Sequence, residues 1–299
     1  MSTNLLNADK RSGARAVTVV RAKAELRAAL APARRQGLAV GLVPTMGYLH
    51  EGHLSLIRAA REECDLVVMT LFVNPSQFGP GEDLDRYPRD EQRDLELAAA
   101  AGADLVYAPS VEEVYPQGFA TTVAVAGGLT DVLEGDPQRR GAEHFRGVTT
   151  VVAKLFNSVG PDVAYFGQKD AQQAVVIRRM ARDLDFPVRI AVLPTVREPD
   201  GLAMSSRNAY LEARDRERAV ALSRALEAVT REARAVSLAA GLQAGRRELA
   251  AAGIEPEYLE ARDAADLAPV AVLGERPVLV AVAARVGAAR LIDNVVIEP

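Results

Sequence analysis

Residues 38–63, LAVGLVPTMGYLHEGHLSLIRAAREE, contain a strand pattern, a glycine-containing loop and a helix pattern in immediate succession. The run from Leu38 to Val43 is short and apolar without polar alternation, which is typical of a strand covered on both faces of a parallel sheet. Residues His53 to Glu63 then show the apolar spacing of a helix. A strand that leads through a short loop into a helix is the repeating unit of an α/β protein, so this stretch favours that fold class.

The same alternation recurs until about residue 196. It predicts right-handed βαβ units and a doubly wound parallel sheet. Ligands of such sheets bind at the carboxyl ends of the strands, so the loops after Val43, Val73, Phe166 and Val196 are the expected place for chemistry. The predicted strands are Leu38–Val43, Asp65–Val73, Asp104–Ala108, Asp162–Phe166 and Val188–Val196, and the predicted helices are His53–Glu63, Arg89–Ala101, Phe145–Val159 and Ala171–Leu184.

The last third of the chain differs from the rest in composition and in its pattern of predicted elements. Residues 213 to about 252 are rich in Ala and Arg with helical spacing, and three extended segments follow them. This order predicts a smaller α+β domain. We therefore expect a Rossmann-like domain over residues 1–196 and a C-terminal α+β lid domain over residues 197–299, packed over the open end of the first. The loop at residues 197–208, REPDGLAMSSRN, would be the hinge.

The loop at residues 44–53, PTMGYLHEGH, is the first candidate ligand site. Its two glycines permit a close approach of the backbone, and the helix that begins near His53 offers unpaired N–H groups to a phosphate. His50 and His53 could donate hydrogen bonds to phosphate oxygens whose negative charge grows during displacement. The simpler alternative is that one histidine caps the helix and the other is a surface residue. A zinc site is less favoured, because the order is His-Glu-Gly-His and only His144 remains as a third imidazole.

Two further loops carry candidate phosphate-binding side chains. Lys169 follows a predicted strand and precedes a helix, which is a suitable place to hold a triphosphate. Ser205, Ser206 and Arg207 lie in the interdomain loop, where hydroxyls and a fixed cation suit a mobile phosphate clamp. Taken alone, each motif has a simpler explanation, namely a solvated lysine at a helix start and an exposed loop with a capping serine.

A fourth loop, residues 74–79, follows the second strand. The amides of Asn74 and Gln77 could orient a substrate with hydroxyl and carboxylate groups without adding charge, although Asn-Pro is also common in turns. The charged stretch from Asp83 to Arg89 is expected to be a solvated loop and helix start. All four loops fall at strand ends on one edge of the predicted sheet, and their chemistry fits one ATP and one small acid.

Composition excludes several classes of protein. The chain has 299 residues, a formal net charge of −4, 49% hydrophobic residues and 25% charged residues, which is typical of a soluble globular protein. We expect neither a nucleic-acid nor a membrane partner. Cys64 is the only cysteine, which rules out an internal disulfide and a cysteine-rich zinc site. Residues 1–16 are polar, lack an apolar signal core and are predicted to be a loose tail. No apolar run approaches the ~20 residues that span a bilayer, so we expect a cytoplasmic protein.

Five motifs together resemble a known family. PTMGYLHEGH (44–53), FVNPSQFGPGEDLDRYPRD (72–90), HFRGVTTVVAKLFN (144–157), FGQKDAQQ (166–173) and REPDGLAMSSRN (197–208) occur in the order and approximate spacing of pantothenate synthetases, the pantoate–β-alanine ligases. The resemblance covers roughly residues 17–299 and implies a nucleotidyltransferase fold. It implies that ATP and (R)-pantoate form pantoyl-adenylate and pyrophosphate, and that β-alanine then attacks to give pantothenate and AMP. It further implies a homodimer, with Mg²⁺ held chiefly through the ATP phosphates and no protein metal site.

The resemblance also implies residue roles. His53 matches the position usually described as the catalytic proton donor, and with His50 and Lys169 it completes the expected catalytic set. Gln77 and Gln173 resemble the amides that hold pantoate, with Gln77 also near β-alanine. The implied ATP contacts are Met46, Gly47, Tyr48, Leu49, His50, Glu51, Gly52, His53, Gly167, Gln168, Lys169, Asp170, Val196, Met204, Ser205, Ser206 and Arg207.

Two features depart from the family pattern. Gln168 stands where the family usually has Glu, and because the lysine and aspartate that follow are retained, we expect activity to survive. The segment GDPQRRGAE at residues 135–143 is a few residues longer than the usual link. Three residues in and beside it are therefore left out of the predicted site: Glu134, Arg139 and Arg140.

Two other functions remain open on the residues alone. An adenylyltransferase would keep the nucleotide on its product, and AMP release that depends on an amine distinguishes the ligase from it. A catalytically silent nucleotide-binding or scaffold protein would be favoured by loss of a histidine of the 44–53 loop or of Lys169, and these residues are present.

Overall fold

Six strands form the larger sheet of the computed structural model, which describes residues 17–299. The predicted tail at residues 1–16 lies outside this described range. The strands are β1 (Thr18–Val20), β2 (Val40–Thr45), β3 (Leu66–Leu71), β4 (Leu105–Tyr107), β5 (Val163–Gly167) and β6 (Arg189–Leu193). Their order is β1-β4-β3-β2-β5-β6, and every neighbouring pair is parallel. The predicted parallel sheet is confirmed.

Helices cover both faces of this sheet. They are α1 (Lys23–Arg35), α2 (Glu51–Glu63), α3 (Glu91–Ala101), α4 (Val111–Val114), α5 (Gly141–Val159) and α6 (Ala171–Asp183). Apolar side chains of α1, α5 and α6 form one core cluster with the strands, and those of α2 and α3 form another. Because the central strands are buried from both sides, their sequences are continuously apolar.

The order in which strands are added to the sheet reverses between β2 and β5, which are parallel neighbours. β3 and β4 lie on one side of this pair and β6 lies on the other. At such a switch point the loops diverge and leave a crevice at the carboxyl ends of the strands. The loop at residues 44–53 follows β2 and the Gly167–Asp170 segment follows β5, so the topology brings both candidate phosphate loops to one crevice.

The C-terminal part consists of helices followed by a small sheet. Its elements are α7 (Ala213–Ala219), α8 (Ala221–Ala235), α9 (Leu238–Ala251), β7 (Pro256–Asp263), β8 (Val278–Val286) and β9 (Ala289–Ile297). The three strands are antiparallel in the order β7-β8-β9, and they share an apolar core with α8 and α9. The predicted smaller α+β domain is confirmed. Across residues 17–299, the helices are all too short or too polar to cross a membrane.

The two parts of the fold share a buried contact. Phe145 of α5 belongs to the same apolar cluster as Tyr258 and Leu279 of the small sheet. Arg197, at the start of the interdomain loop, donates to both carboxylate oxygens of the buried Asp293 at 2.7 and 3.0 Å. The small sheet therefore packs against the first domain near the crevice. The domain boundary after residue 196 stays a prediction.

Several boundaries differ from those that the sequence predicts. β1 and α1 had no predicted counterpart. β6 ends at Leu193 instead of residue 196, because Pro194 has no N–H to continue the ladder. α5 begins at Gly141, ahead of the predicted start at Phe145, which places His144 in its first turn.

Candidate active site

The site consists of two connected spaces at the carboxyl ends of β2 and β5. A cavity of about 230 Å³ lies against the sheet, and a cleft of about 720 Å³ extends from it towards the small sheet. The residues that border both spaces are Arg140, His144, Lys169, Asp170, Gln173, Ser205 and Arg207. The site therefore has a smaller inner part against the sheet and a larger, charged outer part beside the small sheet.

The loop at residues 44–53 is held in shape by Asp94 of α3. This carboxylate is only 1% exposed and accepts the backbone N–H groups of Tyr48 and Leu49, both at 2.7 Å. Gly47 and Tyr48 have positive φ angles of 87° and 51°. A Cβ on Gly47 would lie 2.6 Å from the Leu71 side chain. The turn thus requires glycine at 47, and the Tyr48 and Leu49 amides already have a partner.

Both histidines of this loop border the inner cavity. His50 is the N-cap of α2, and its Nδ1 accepts the Gly52 N–H at 3.2 Å. The Nδ1 of His53 accepts the His50 N–H at 3.3 Å, and the two rings lie 4.1 Å apart. A neutral imidazole whose Nδ1 accepts carries its proton on Nε2. The alternative of a helix-capping histidine is therefore correct for His50, but that residue also borders the cavity.

Burial holds both imidazoles in the neutral form. It lowers the pKa of His50 to about 4, with a further contribution from the positive charge of Lys169. Burial lowers the pKa of His53 well below its ordinary value, and the neighbouring His50 and Lys169 act in the same direction. At neutral pH the pair consequently offers N–H donors with no net charge, which suits the stabilisation of an oxyanion more than transfer of a proton from an imidazolium.

Lys169 is one of three cations among residues 17–299 that border the inner cavity, with Arg140 and Arg207. It lies in the short 3-10 turn Gln168–Asp170 between β5 and α6, its side chain is 18% exposed, and its Nζ is 3.8 Å from a carboxylate oxygen of Asp170. The side chain of Gln168 points elsewhere, because its Nε2 donates to Asn294 Oδ1 at 3.1 Å. Asn294 Nδ2 in turn donates to the carbonyl oxygens of Gln168 and Lys169 at 2.9 and 2.8 Å. Gln168 thus joins the turn to β9.

The amide of Gln77 has a defined orientation that Asn74 imposes. Asn74 Oδ1 accepts from the Ser76 hydroxyl and the Tyr115 hydroxyl, both at 2.8 Å, and its Nδ2 donates to the Gly147 carbonyl at 3.2 Å. The same Nδ2 donates to Gln77 Oε1 at 3.1 Å. One N–H of the Gln77 NH₂ group donates to Met46 Sδ at 3.2 Å, so with its oxygen also engaged Gln77 has one N–H left to hold an acceptor oxygen of a substrate in the cavity.

Helix α5 closes the wall behind Gln77 at very short range. A Cβ on Gly147 would lie 2.1 Å from the backbone oxygen of Ser76, so no side chain fits there. His144, one turn earlier, donates from Nδ1 to the Gln77 carbonyl at 2.8 Å and accepts from Arg140 at 3.2 Å on Nε2. Burial lowers the pKa of His144 to about 4, and the charge of Arg140 adds to that effect. This third imidazole thus supports the substrate wall in a neutral state.

The serine–arginine segment lies at the junction of the two spaces. The Ser205 hydroxyl accepts the Arg207 N–H at 3.2 Å, and the buried Ser206 hydroxyl donates to the Tyr48 carbonyl at 3.3 Å. The Arg207 guanidinium forms an ion pair with Asp83. The expectation of a solvated stretch is wrong for Asp83 and the buried Tyr87, which are part of the site wall. Asp85, Arg86 and Arg89 are exposed, as expected.

The outer cleft contains further ionic contacts that the sequence did not assign. Glu134 is buried, and its carboxylate accepts from Arg290 at 2.6 and 2.9 Å and from the Tyr258 hydroxyl at 2.9 Å. Burial would raise the pKa of Glu134, but Arg290 outweighs it and lowers that pKa. Arg140 donates to Glu82 Oε2 at 2.6 Å. The longer 135–143 segment obscures the alignment of Glu134 and Arg140 with the family, so the sequence does not assign them to the site. No local sequence pattern identifies Arg290.

Most predicted site residues do border the inner cavity, and five do not. Glu51 is exposed and pairs with Arg58, Gln168 bonds to Asn294 of β9, and Asp94 holds the backbone of Tyr48 and Leu49. Those on the wall are Met46, His50, Gly52, His53, Gln77, Gly167, Lys169, Asp170, Gln173, Val196, Met204, Ser205, Ser206 and Arg207. Those that the structure does not bring to it are Gly47, Tyr48, Leu49, Glu51 and Gln168.

Comparisons with known proteins agree with this geometry. The family described as pantoate-beta-alanine ligase matches residues 18–296. The pantothenate synthetase of Moorella thermoacetica is 56% identical in an alignment 287 residues long that covers 92% of this chain and 96% of that protein. The crystal structure of the Thermus thermophilus pantothenate synthetase matches with a TM-score of 0.88 and 50% identity, over 95% of this chain and all of that one.

A further solved structure carries ligands. The pantoate-beta-alanine ligase of Francisella tularensis, complexed with beta-gamma ATP and beta-alanine, matches with a TM-score of 0.78 and 31% identity over 94% of this chain and 97% of that chain. The family match spans nearly all of the described residues, and the Moorella relative shares more than half of its aligned residues. This protein therefore belongs to the pantoate–β-alanine ligase family, the pantothenate synthetases.

Proposed function

We propose that this protein joins (R)-pantoate to β-alanine at the expense of ATP, through a pantoyl-adenylate, and releases pantothenate, AMP and pyrophosphate. The observation that carries the proposal is the convergence of two neutral histidines, one lysine and an oriented glutamine amide on one cavity. Family membership supports the ligase activity, and the Francisella complex supports ATP and β-alanine as substrates.

In this proposal ATP enters from the cleft with its triphosphate beside Lys169 and the two histidines. The N-terminus of α2 opens at the same place and adds a favourable dipole. The adenine would lie near Val196 and Met204, which border the inner cavity. The hydroxyl oxygen of Thr195 is buried there without a hydrogen-bond partner among the described residues, so it is available to bond with the adenine ring.

The acid would occupy the wall beneath Gln77 and Gln173. The Gln77 NH₂ group would hold an oxygen of pantoate, and the apolar side chains of α5 would face its methyl groups. Those side chains are Val148, Val151, Val152 and Leu155. Amide donors beside an apolar wall suit an acid that carries both hydroxyl groups and branched methyl groups.

The first step would form a bond between a pantoate carboxylate oxygen and the α-phosphorus, while the bond to pyrophosphate breaks. The Nε2–H groups of His50 and His53 would stabilise the charge on the phosphate oxygens, and Lys169 would neutralise the triphosphate. In the second step the amine of β-alanine attacks the activated carbonyl carbon. The C–N bond forms, the C–O bond to AMP breaks, and one proton is released.

Magnesium would arrive with ATP as part of the co-substrate. Residues 17–299 hold no group of three or more His, Cys, Asp and Glu side chains that could bind a metal. The half-exposed Asp170 is the carboxylate that borders both spaces and could meet such an ion. The homodimeric state, the cytoplasmic location and closure of the C-terminal lid stay predictions of the sequence.

An isotope experiment tests the adenylate. Pantoate labelled with ¹⁸O in its carboxylate is incubated with MgATP and β-alanine, and the products are analysed by mass spectrometry. One labelled oxygen should appear in AMP and the other in the amide of pantothenate. Label in free phosphate would instead indicate attack at the γ-phosphorus. If no AMP forms in response to β-alanine, the ligase proposal fails and an adenylyltransferase or a silent binding protein becomes the better explanation.

A further inference from the structure

Asp83 and Arg207 form a bidentate ion pair at the junction of the cavity and the cleft. The Arg207 Nε and Nη2 atoms each lie 2.9 Å from a different carboxylate oxygen of Asp83. The Arg207 and Asp83 side chains are 26% and 15% exposed, respectively. A forked pair with this partial burial fixes the plane and direction of the guanidinium as well as its position.

The pair joins two separate parts of the chain. Asp83 begins a turn that its own carbonyl closes by accepting the Arg86 N–H at 3.1 Å. Arg207 lies in the 3-10 helix Ser206–Tyr210, and the Tyr210 hydroxyl donates to the Arg86 carbonyl at 2.9 Å. The turn at Asp83 therefore holds the interdomain loop in place through two contacts, Asp83–Arg207 and Arg86–Tyr210.

The ion pair leaves one edge of the guanidinium exposed to the site. Asp83 engages the Nε–Nη2 edge, and the ring of Tyr87 lies 5.8 Å from the guanidinium carbon. Within residues 17–299, Nη1 has no hydrogen-bond partner, and Arg207 borders both spaces. The Nη1 edge is consequently the one that an anion in the cleft can reach.

Asp83 keeps its charge under the conditions in which ATP binds. Burial would raise the pKa of this carboxyl, but the hydrogen bonds and positive charge of Arg207 outweigh burial and hold the pKa below its ordinary value. The charge of Arg140 acts in the same direction, and the carboxylate of Asp170 faces Arg207 from the 3-10 turn after β5. The pair is thus fully ionised at neutral pH.

We propose that Asp83 is a positioning residue for ATP, which acts by holding the Nε–Nη2 edge of Arg207 so that the opposite edge faces the triphosphate. The inference rests on the proposed phosphate-binding role of Arg207. It implies that Asp83 assists nucleotide binding although its own charge repels phosphate. A carboxylate that merely competed with phosphate for the same guanidinium would have the opposite effect.

The test compares Asp83→Asn with Asp85→Asn, which makes the same change of charge two residues away at an exposed side chain. Asparagine retains one acceptor but turns its NH₂ group towards the second guanidinium N–H, so the fork is lost. We expect the KM for ATP to rise about tenfold in Asp83→Asn, as loss of one charge-assisted hydrogen bond predicts. The kcat should change much less, and Asp85→Asn should match the parent protein.

A double-mutant cycle tests whether Asp83 affects ATP binding through Arg207. In an Arg207→Ala background, Asp83→Asn should add no further rise in the KM for ATP, because the side chain that Asp83 positions is gone. Melting temperatures of all variants show whether the fold is intact. An unchanged or lower KM in Asp83→Asn, or additive effects in the double variant, would overturn the proposal. If Arg207→Ala itself binds ATP normally, the proposed phosphate role of Arg207 fails instead.

Discussion

Burial of the His53 ring makes it a neutral hydrogen-bond donor, and this determines what its removal should cost. His53→Ala should lower the rate of adenylate formation by about 10²–10³, the loss expected for one preorganised donor. The measurement is pyrophosphate exchange into ATP in the presence of pantoate, which reports the first step alone. Arg58→Ala is the control, since that side chain lies on the same helix but pairs with Glu51 on its exposed face. Near-normal exchange in His53→Ala would reduce this residue to a support for the loop.

The orientation of the Gln77 amide predicts which substrate responds to its replacement. In Gln77→Glu the oxygen held by Asn74 is retained, but the group that faces the cavity changes from a donor to an acceptor. An acceptor opposite the pantoate oxygens should raise the KM for pantoate at least about tenfold, because a buried hydrogen bond is lost and a like charge is added. The KM for ATP should change little. Gln117→Glu, at an exposed position, is the matched control, and an equal rise in both KM values would contradict the assigned orientation.

At the scale of secondary-structure elements, the contact between the Gln168–Asp170 turn and β9 depends on complementary amides. Glutamate at 168 would place a carboxylate oxygen against Asn294 Oδ1, and Asn294 cannot reverse without losing its bonds to two backbone carbonyls. Gln168→Glu should therefore lower the free energy of unfolding by about 1–3 kcal/mol. Activity should survive, because this side chain lies outside the cavity.

Urea denaturation measures this cost, with Gln243→Glu on the exposed face of α9 as the control. An unchanged urea midpoint in Gln168→Glu would show that the amide pair contributes nothing to the packing of the small sheet. Loss of activity at full stability would show instead that the turn transmits the change to Lys169.

For the whole molecule, three histidines whose pKa values are lowered in the folded state make stability depend on pH. The pKa values of His50 and His144 are lowered to about 4, and that of His53 is also well below normal. The unfolded chain binds these protons near pH 6.5, whereas the folded chain does not, so the stabilisation is complete above about 6.5 and declines as pH falls towards 4. Each histidine should contribute about 1.4 kcal/mol per pH unit at the steepest part of that window.

Urea denaturation at pH 7 and pH 5.5 tests this dependence in a range above the titration of unfolded carboxylates. His144→Asn should reduce the slope of the free energy of unfolding against pH by the contribution of one histidine, and the other two histidines should maintain the rest of that slope. Equal free energies of unfolding at the two pH values would show that the histidines are accessible to protons in the folded state.

The sequence predicts the parts of this site that depend on local pattern. An apolar strand followed by a glycine-containing loop and a helix places His50, His53 and Lys169 at strand ends, and the structure brings them to one cavity. It does not predict contacts between distant segments. Asp94 accepts the Tyr48 and Leu49 N–H groups from 46 and 45 residues away, although the family resemblance implies that these two residues contact ATP.

The pairs that join the two domains lie still further apart in the chain. Asp83 and Arg207 are separated by 124 residues, and Glu134 and Arg290 by 156. Each of these side chains alone resembles a solvated charge, because only the packing of the small sheet against the first domain brings the partners together. Local spacing carries no information about that packing.

The close contact at Gly147 has a consequence for anyone who wishes to redesign the acid specificity of this protein. Every substitution at that position would force α5 away from Ser76 and disturb the Asn74–Gln77 pair. The helix face that carries Gly147 therefore tolerates no larger side chain at that position. Val148, Val151 and Val152 project from the adjacent face of the same helix into the cavity. Mutant libraries aimed at bulkier or longer acids should therefore vary these valines and keep Gly147. The size of the valine side chains sets the depth of the cavity, whereas the contact at Gly147 fixes the position of the helix.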